Sequence, residues 1–523
     1  MTTPNNHHPK FSNLAVLDFT IPENKKGMED AIAKVKAESE KEYPIVIGSE
    51  NVITDEKLKS WNPSHKNQTL GVFQKGNIDI AEKAMQKALE TFETWKNVPA
   101  AQRADYLFKA AEIMKNRRFE MDAVMILEIG KNWIEADADL CEAVDFLEFY
   151  ARQMLEYAGG RSLTEFEGED NTAFYIPLGV GLVIPPWNFP CAILTGMTAS
   201  AIVAGNTVIL KPASDTPLIA AKVVEIFQEA GLPEGVLTFL TGPGGSIGDY
   251  LVEHPKTRFI SFTGSMEVGK GIYEKAGKVF PGQIWLKRTV IEMGGKDAIV
   301  VDSEADVESA AQGIVASAFG FQGQKCSACS RAIVDEKVYD EIVEKVIALT
   351  EKLTVGDPCD PANFMGPVSS KSSYAKVMEY IEIGKQEGVL VAGGTGDDSE
   401  GYFIRPTVFK DIKPGSRLEQ EEIFGPVLAI IKSKDYDDGL RIANDTIYGL
   451  TGAVYTKNED KIKRAYKEFH VGNLYINRKC TGALVDVHPF GGFNMSGTDS
   501  KAGGRDYLLL FMQMKSVSRK IIK

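Results

Sequence analysis

From Asn171 to Leu210 the chain runs forty residues without a single Asp, Glu, Lys or Arg. A stretch of this kind has to be buried, in a membrane or inside a protein. A span needs about 20 continuous apolar residues. Here Pro185, Pro186, Asn188 and Pro190 cut the run in its middle, and Gly205-Asn206 cut it again. The run therefore reads as strand, loop, helix and strand inside an α/β domain, where buried parallel strands are solidly apolar.

The flanking sequence supports this. GVGLVI, TVILK, VLTFL and RFISFT read as short buried strands. The segments TPLIAAKVVEIFQEAG, SIGDYLVEHP and MEVGKGIYEKAG read as the helices between them, which predicts repeated β-α-β units and a doubly wound parallel sheet. Residues 78–158 carry long helical periodicity. A second alternating series, with strand candidates AIVVD, RAIVD, VLAIIK, GAVYT and NLYIN, predicts a second α/β domain. Residues 1–43 read as an appended, helical surface segment.

Composition excludes other classes. With 523 residues, 44% hydrophobic and 25% charged, the chain can bury a large core. Its 59 basic against 72 acidic residues give a net charge of −13 and no basic stripe, so no nucleic-acid partner is expected. The first residues lack an apolar signal core, and no membrane partner is expected. Six scattered cysteines point to a reduced, cytoplasmic protein rather than a disulfide scaffold.

Several motifs can carry chemistry. Gly242 to Gly248 misses the G-x-G-x-x-G fingerprint because its last glycine comes one place late. Phe262-Thr263-Gly264-Ser265 follows a strand and opens a helix, where free amides can meet a pyrophosphate; an ordinary helix cap accounts for it equally well. Lys211 is the first charge after the uncharged run and ends a strand, at the edge where such sheets bind ligands. Asn188, in Pro-Pro-Trp-Asn-Phe-Pro, is either an oxyanion donor or a loop amide bonded to local backbone. Glu292 precedes a Gly-Gly turn, a place for a partly desolvated base or for a structural ion pair with Lys287 or Lys296. Cys326 lies beside Lys325 in a polar glycine-bearing loop, which favours a thiolate. Cys329, three residues on, could close a disulfide with it if the loop bends. Zinc would need a second cysteine pair, and the remaining cysteines are single, so no metal is expected.

In order along the chain, Pro-Trp-Asn188-Phe, Lys211-Pro-Ala, Phe-Thr-Gly264-Ser265-x-x-x-Gly269, Glu292-Met-Gly-Gly-Lys, Gly-Gln-Lys-Cys326 and Glu421-Glu422-Ile-Phe424-Gly-Pro together resemble the aldehyde dehydrogenase superfamily. The resemblance covers residue 44 to the end. The stretches FGFQGQKCSACSR, EYIEIGKQEG, EFHVGNLYINRK and TGALVDVHPFGGFNMSGTDSKAGG are similar to the branch that oxidises glutamate γ-semialdehyde to glutamate. Another aldehyde, such as succinate semialdehyde, is the alternative substrate.

The resemblance implies an aldehyde dehydrogenase-like fold. It would have a Rossmann-like dinucleotide domain at 44–159 and 177–294, a catalytic α/β domain at 295–495, and an oligomerisation element at 160–176 and 496–523. It implies Cys326 as nucleophile, Glu292 as base and Asn188 as oxyanion donor. It places Ile184, Pro186, Trp187, Lys211, Ser214, Gly245, Gly264, Ser265, Gly294, Glu422 and Phe424 at the cofactor. The substrate would meet Phe189, Ser327, Gly482, Ala483 and Phe490. Ser214 stands where many NAD-specific relatives carry a glutamate, so NADP is left possible beside NAD. A homodimer or an assembly of dimers is implied as well.

Overall fold

The computed structural model describes residues 9–522. Two seven-stranded sheets organise it. In the first, five parallel strands stand in the order Arg288–Glu292, Phe259–Thr263, Val180–Ile184, Thr207–Leu210 and Leu237–Phe239. The antiparallel strands Ile45–Ile47 and Glu50–Val52 complete its far edge. The chain enters the parallel part at Val180–Ile184, winds outward to Leu237–Phe239, and returns on the other side at Phe259–Thr263. The switch point therefore lies between Val180–Ile184 and Phe259–Thr263, where such sheets bind ligands at the carboxyl ends of the strands.

The uncharged run forms the strand Val180–Ile184, a loop, the helix Ala192–Val203 and the strand Thr207–Leu210. Its lack of charge has a direct cause: every residue of that helix except Ile193 is buried, so no face is left for solvent. Helix starts follow side-chain chemistry. Asn77, Asn132, Ser265 and Asp306 each accept a backbone N–H of the first turn.

The second sheet runs Val389–Ala392, Thr407–Lys410, Val427–Ser433, Arg331–Asp335, Ala298–Val301, Thr451–Tyr455 and Asn473–Ile476. All but the first strand are parallel. Strand Glu169–Pro177 pairs antiparallel with Met512–Lys520 in a separate two-stranded ribbon. No helix among the described residues is long and apolar enough to cross a membrane.

The N-terminal segment is not the surface appendage its composition suggests. Helix Pro22–Ala37 buries Met28, Ile32 and Val35 against helix Arg118–Ile129. Ahead of it, the amides of Leu14 and Leu17 donate to Asp145 and Asp137 of helix Trp133–Ala158. Asn13 Nδ2 adds a third bond, to Asp145, so the segment is tied down by its backbone and one amide side chain. The hairpin strands Lys57–Asn62 and His65–Gln74 also went unread, because their apolar residues do not alternate cleanly.

Candidate active site

The carboxyl edge of the first sheet meets the amino edge of the second, and the motifs collect at that seam. Strand Val180–Ile184 delivers Pro186, Trp187, Asn188 and Phe189, while Thr207–Leu210 delivers Lys211 and Arg288–Glu292 ends in Glu292 itself. From the other side, Cys326 precedes strand Arg331–Asp335, and Glu422 and Phe424 precede Val427–Ser433. Three contacts close the seam. Asn188 Nδ2 donates to the Gln324 carbonyl at 3.0 Å, the Gly295 amide donates to Glu422 Oε1 at 2.9 Å, and Trp187 meets Phe424 edge-on at 5.3 Å.

Cys326 is partly exposed, with Asn188 anchored two residues before it through Gln324. Its thiol differs from the sequence expectation. Burial, with the nearby Asp297, Glu422 and Glu292 carboxyls, pushes it well above its usual range. Lys325 does not offset this, because its ammonium lies 2.6 Å from Glu135 of helix Trp133–Ala158. Cys329 does not face Cys326 either. It is buried in the core of the second sheet, donates to the Arg331 carbonyl at 3.4 Å and lies against Cys480, so the loop is not bent in the way a disulfide with Cys326 would need.

The Glu292 carboxyl sits in a cradle of glycines. A Cβ added to Gly491 would come within 3.1 Å of Oε1, and one added to Gly497 within 3.0 Å of Oε2. The same side is tightly stacked. A Cβ on Gly472 would lie 1.9 Å from the Gly491 carbonyl oxygen, and one on Gly491 would lie 1.7 Å from that of Ser500. Ser500 Oγ donates to Glu292 Oε1 at 2.5 Å and the Gly492 amide approaches Oε2 at 3.4 Å. Burial pushes the carboxyl up to about 8, against the pull of these bonds. Neither Lys287 nor Lys296 pairs with it: the Lys287 ammonium caps the Val252 carbonyl, and Lys296 faces Glu419 and Glu422.

The residues expected at the cofactor differ in burial and partners. Lys211 is buried, pushed down to about 8 by desolvation, and among the described residues donates only to the Pro212 carbonyl. It packs against Gly248, at the end of the turn Gly244–Gly248. Gly245 in that turn is exposed, with open space where a Cβ would stand. Ser265 caps helix Met266–Ala276 and is exposed, as is Ser214. Gly264 and Ile184 are half-buried beside them, and Pro186 is buried. A Cβ on Gly294 would fall 2.1 Å from a Glu422 oxygen, so glycine is what lets that carboxylate reach the Gly295 amide. An exposed helix start capped by Ser265, a buried lysine without an anionic partner among the described residues, and an open glycine turn suit a dinucleotide diphosphate.

On the opposite side, Phe189 carries Lys131 Nζ 3.9 Å from its ring centroid, with Phe321 4.4 Å from the same ammonium. Lys131 is fully buried and lies 3.1 Å from Asp139, whose other oxygen accepts the Ala192 amide. Gly482 has φ +79 and is exposed next to the half-buried Ala483. The Arg478 guanidinium takes the Thr481 and Gly482 carbonyls, and among the described residues the Gly482 and Ala483 amides donate to nothing. The Ser327 carbonyl accepts from Cys480 and Thr451. Phe490 is bridged to Ala502 by two 2.8 Å bonds.

Sequence reasoning missed Gln324, Lys131, Glu135 and Ser500. Each acts by touching a motif residue distant in the chain, and only the fold supplies that proximity. No group of three or more His, Cys, Asp or Glu side chains suited to a metal ion occurs among the described residues.

Known proteins resemble the chain along its whole length. The model of the aldehyde dehydrogenase family matches residues 52–517. A 1-pyrroline-5-carboxylate dehydrogenase of Geobacillus sp. (strain WCH70) is 59% identical over 518 residues, covering 99% of both chains. One of Bacillus cytotoxicus is 56% identical over 504 residues, covering 96% of this chain and 98% of its own. The solved structure of a Thermus 1-pyrroline-5-carboxylate dehydrogenase with bound NAD superposes with a TM-score of 0.97 at 50% identity. It covers 98% of this chain and 100% of that one. With motifs, sheet order and family model in agreement, the chain belongs to the aldehyde dehydrogenase family.

Proposed function

We propose that the protein oxidises L-glutamate γ-semialdehyde, the open form of 1-pyrroline-5-carboxylate, to L-glutamate with NAD. The observation that carries this is the meeting of Cys326, Asn188 and Glu292 at the seam of the two sheets. The free amides at Gly482-Ala483 and the names and NAD content of the relatives support the substrate and cofactor.

Cys326 is the nucleophile. Its thiolate, formed by loss of the thiol proton to water, adds to the aldehyde carbon, and the Asn188 amide, with the Cys326 N–H, holds the oxygen that becomes negative. Ile184, Pro186, Trp187, Gly245, Gly264 and Gly294 shape the dinucleotide cleft. Lys211, Ser214 and Ser265 face its adenosine-diphosphate portion, and Glu422 and Phe424 its nicotinamide end. Bound NAD supplies the hydride acceptor. Glu292 then takes a proton from the water that cleaves the Cys326 thioester, releasing the acid and the thiol. Phe189 and Phe490 flank the carbon chain, and Ser327 with the Gly482-Ala483 amides meets the α-carboxylate.

Strand Met512–Lys520 and its partner Glu169–Pro177 expose Phe166, Phe174, Met514 and Val517 in or beside one ribbon. We assign this ribbon to subunit association in a homodimer or an assembly of dimers. The six free cysteines suit a reducing compartment, the cytoplasm.

Steady-state assays with glutamate semialdehyde, succinate semialdehyde and propanal, each with NAD and NADP, test the reading. The glutamate semialdehyde should give the largest kcat/KM, with NAD the better cofactor. A larger kcat/KM for either other aldehyde would overturn the substrate assignment.

A further inference from the structure

We propose that Ser500 is a positioning residue for the general base: its hydroxyl fixes the orientation and the protonation of the Glu292 carboxyl. The inference rests on the reading of Glu292 as the base that activates water.

Ser500 Oγ lies 2.5 Å from Glu292 Oε1, whereas the only other donor to this carboxyl among the described residues, the Gly492 amide, stands at 3.4 Å. Hydrogen-bond strength falls steeply over that range, so the hydroxyl is the effective partner. The glycine cradle leaves no second side chain in reach of the carboxyl from Gly491 or Gly497.

The segment that carries Ser500 is itself fixed to the strand that carries Glu292. The Met293 amide donates to the Ser496 carbonyl at 2.7 Å and Ser496 Oγ to the Gly294 carbonyl at 2.8 Å. Thr498 pairs with Ile291 through its amide at 2.9 Å and its hydroxyl at 3.0 Å. Beyond Ser500, Ala502 is bridged to Phe490. A hydroxyl on so constrained a backbone holds its acceptor in one direction.

Four other titratable groups face the carboxyl. Lys501 favours its ionised form and Asp499 opposes it, with the Cys326 thiol and the Tyr507 hydroxyl nearby. The Lys501 ammonium is hydrogen-bonded to the Gly472 and Gly491 carbonyls, so it contributes a field and no hydrogen bond to Glu292. Ser500 is thus the side chain whose removal leaves the buried carboxylate without a strong donor. In the Ser500→Ala variant the protonated form gains, and the pH at which the base becomes competent moves upward.

The test is the pH dependence of single-turnover and steady-state NADH formation with glutamate semialdehyde. It compares wild type, Ser500→Ala, Ser500→Thr, Glu292→Gln and the double variant Ser500→Ala/Glu292→Gln. In Ser500→Ala, steady-state kcat at pH 7 should fall about 3- to 10-fold, in line with a shift of roughly half to one pH unit. The loss should shrink by pH 9.5, while the burst amplitude and KM stay near wild type. Ser500→Thr, which keeps the hydroxyl, should restore most of the rate. The double variant should be no slower than Glu292→Gln, because Ser500 acts through Glu292. An equal loss at every pH, or a profile unchanged from wild type, overturns the role of Ser500 while leaving Glu292 in place. Normal turnover by Glu292→Gln overturns the base assignment, and the role of Ser500 with it.

Discussion

The Lys325 ammonium lies 2.6 Å from the Glu135 carboxylate, so the cation adjacent to the nucleophile in sequence is neutralised by a helix nearly two hundred residues earlier. The Cys326 thiol therefore faces the carboxyls of Asp297, Glu422 and Glu292 without a compensating charge, and the free protein holds it protonated. Alkylation by iodoacetamide should be slower at pH 7.5 than for free cysteine, and should still be rising at pH 9. Glu135→Gln releases the lysine charge and should speed alkylation about 3- to 10-fold at pH 7.5. A rate equal to wild type would mean the ion pair does not reach the thiol.

Cys326→Ala should abolish aldehyde oxidation. NAD affinity, read by fluorescence titration, should stay within about 2-fold of wild type, because the residue shapes the reacting centre and not the diphosphate cleft. Measurable turnover by the alanine variant would remove Cys326 from the mechanism.

Glu292→Gln should give a burst of NADH followed by a steady state slowed by about 100-fold or more, the usual range for loss of a general base. In wild type, burial holds the carboxyl near 8, and a base works in its ionised form. The hydrolysis-limited rate should thus rise with pH and reach half its maximum near that value. A plateau already reached at pH 6 would contradict this environment for the base.

Gly482→Pro tests the substrate's charged end. The variant removes a donor and is incompatible with the observed φ of +79. Since hydrogen bonds to a charged group are worth about 1.5–3 kcal/mol, kcat/KM for glutamate semialdehyde should drop about 10-fold or more. Propanal, which has no carboxylate, should lose much less. Parallel losses for both aldehydes would reduce the turn to a folding element.

Asp122 is fully buried against Asp137, and burial with this like charge pushes its carboxyl well above the usual range. An acid with a raised folded-state pKa holds its proton when folded, so its contribution to stability declines as pH climbs from about 4 toward that pKa. Asp122→Asn keeps the shape and needs no proton. Its thermal midpoint should exceed that of wild type by about 1–3 °C at pH 8, with a smaller gain at pH 5. A gain independent of pH would point to packing instead.

The sheets were legible where burial is complete. The uncharged run and the strands RFISFT, RAIVD and GAVYT are buried on both faces and mostly apolar, and their pattern alone marks them. Cys326, Glu292 and Asn188, the proposed nucleophile, base and amide donor, stood out as motifs, because such chemistry demands particular residues beside glycines and prolines. What escaped was set by contacts across the chain. The state of the Cys326 thiol depends on Glu135 having captured Lys325 and on Asp297 lying close by, and neither follows from FQGQKCSACS alone. Cys329 read as a neighbour of Cys326 because sequence spacing says nothing about which way a side chain turns. The N-terminal segment read as a surface because the backbone amides of Leu14 and Leu17 that meet buried carboxylates, and the three apolar residues its helix buries, leave no mark in a mostly polar composition.

The Gly472, Gly491 and Ser500 backbones are stacked so closely that even one methyl group would collide with a carbonyl oxygen. At Gly472 and Gly491 this flank has no room to evolve. A lineage that turns the same machinery to a longer or bulkier aldehyde has to do so from the other flank, at Phe189 and the Lys131 ammonium behind it, or at the Gly482-Ala483 turn. Substitution libraries aimed at new substrates should therefore return active variants from those positions and almost none from the glycine flank.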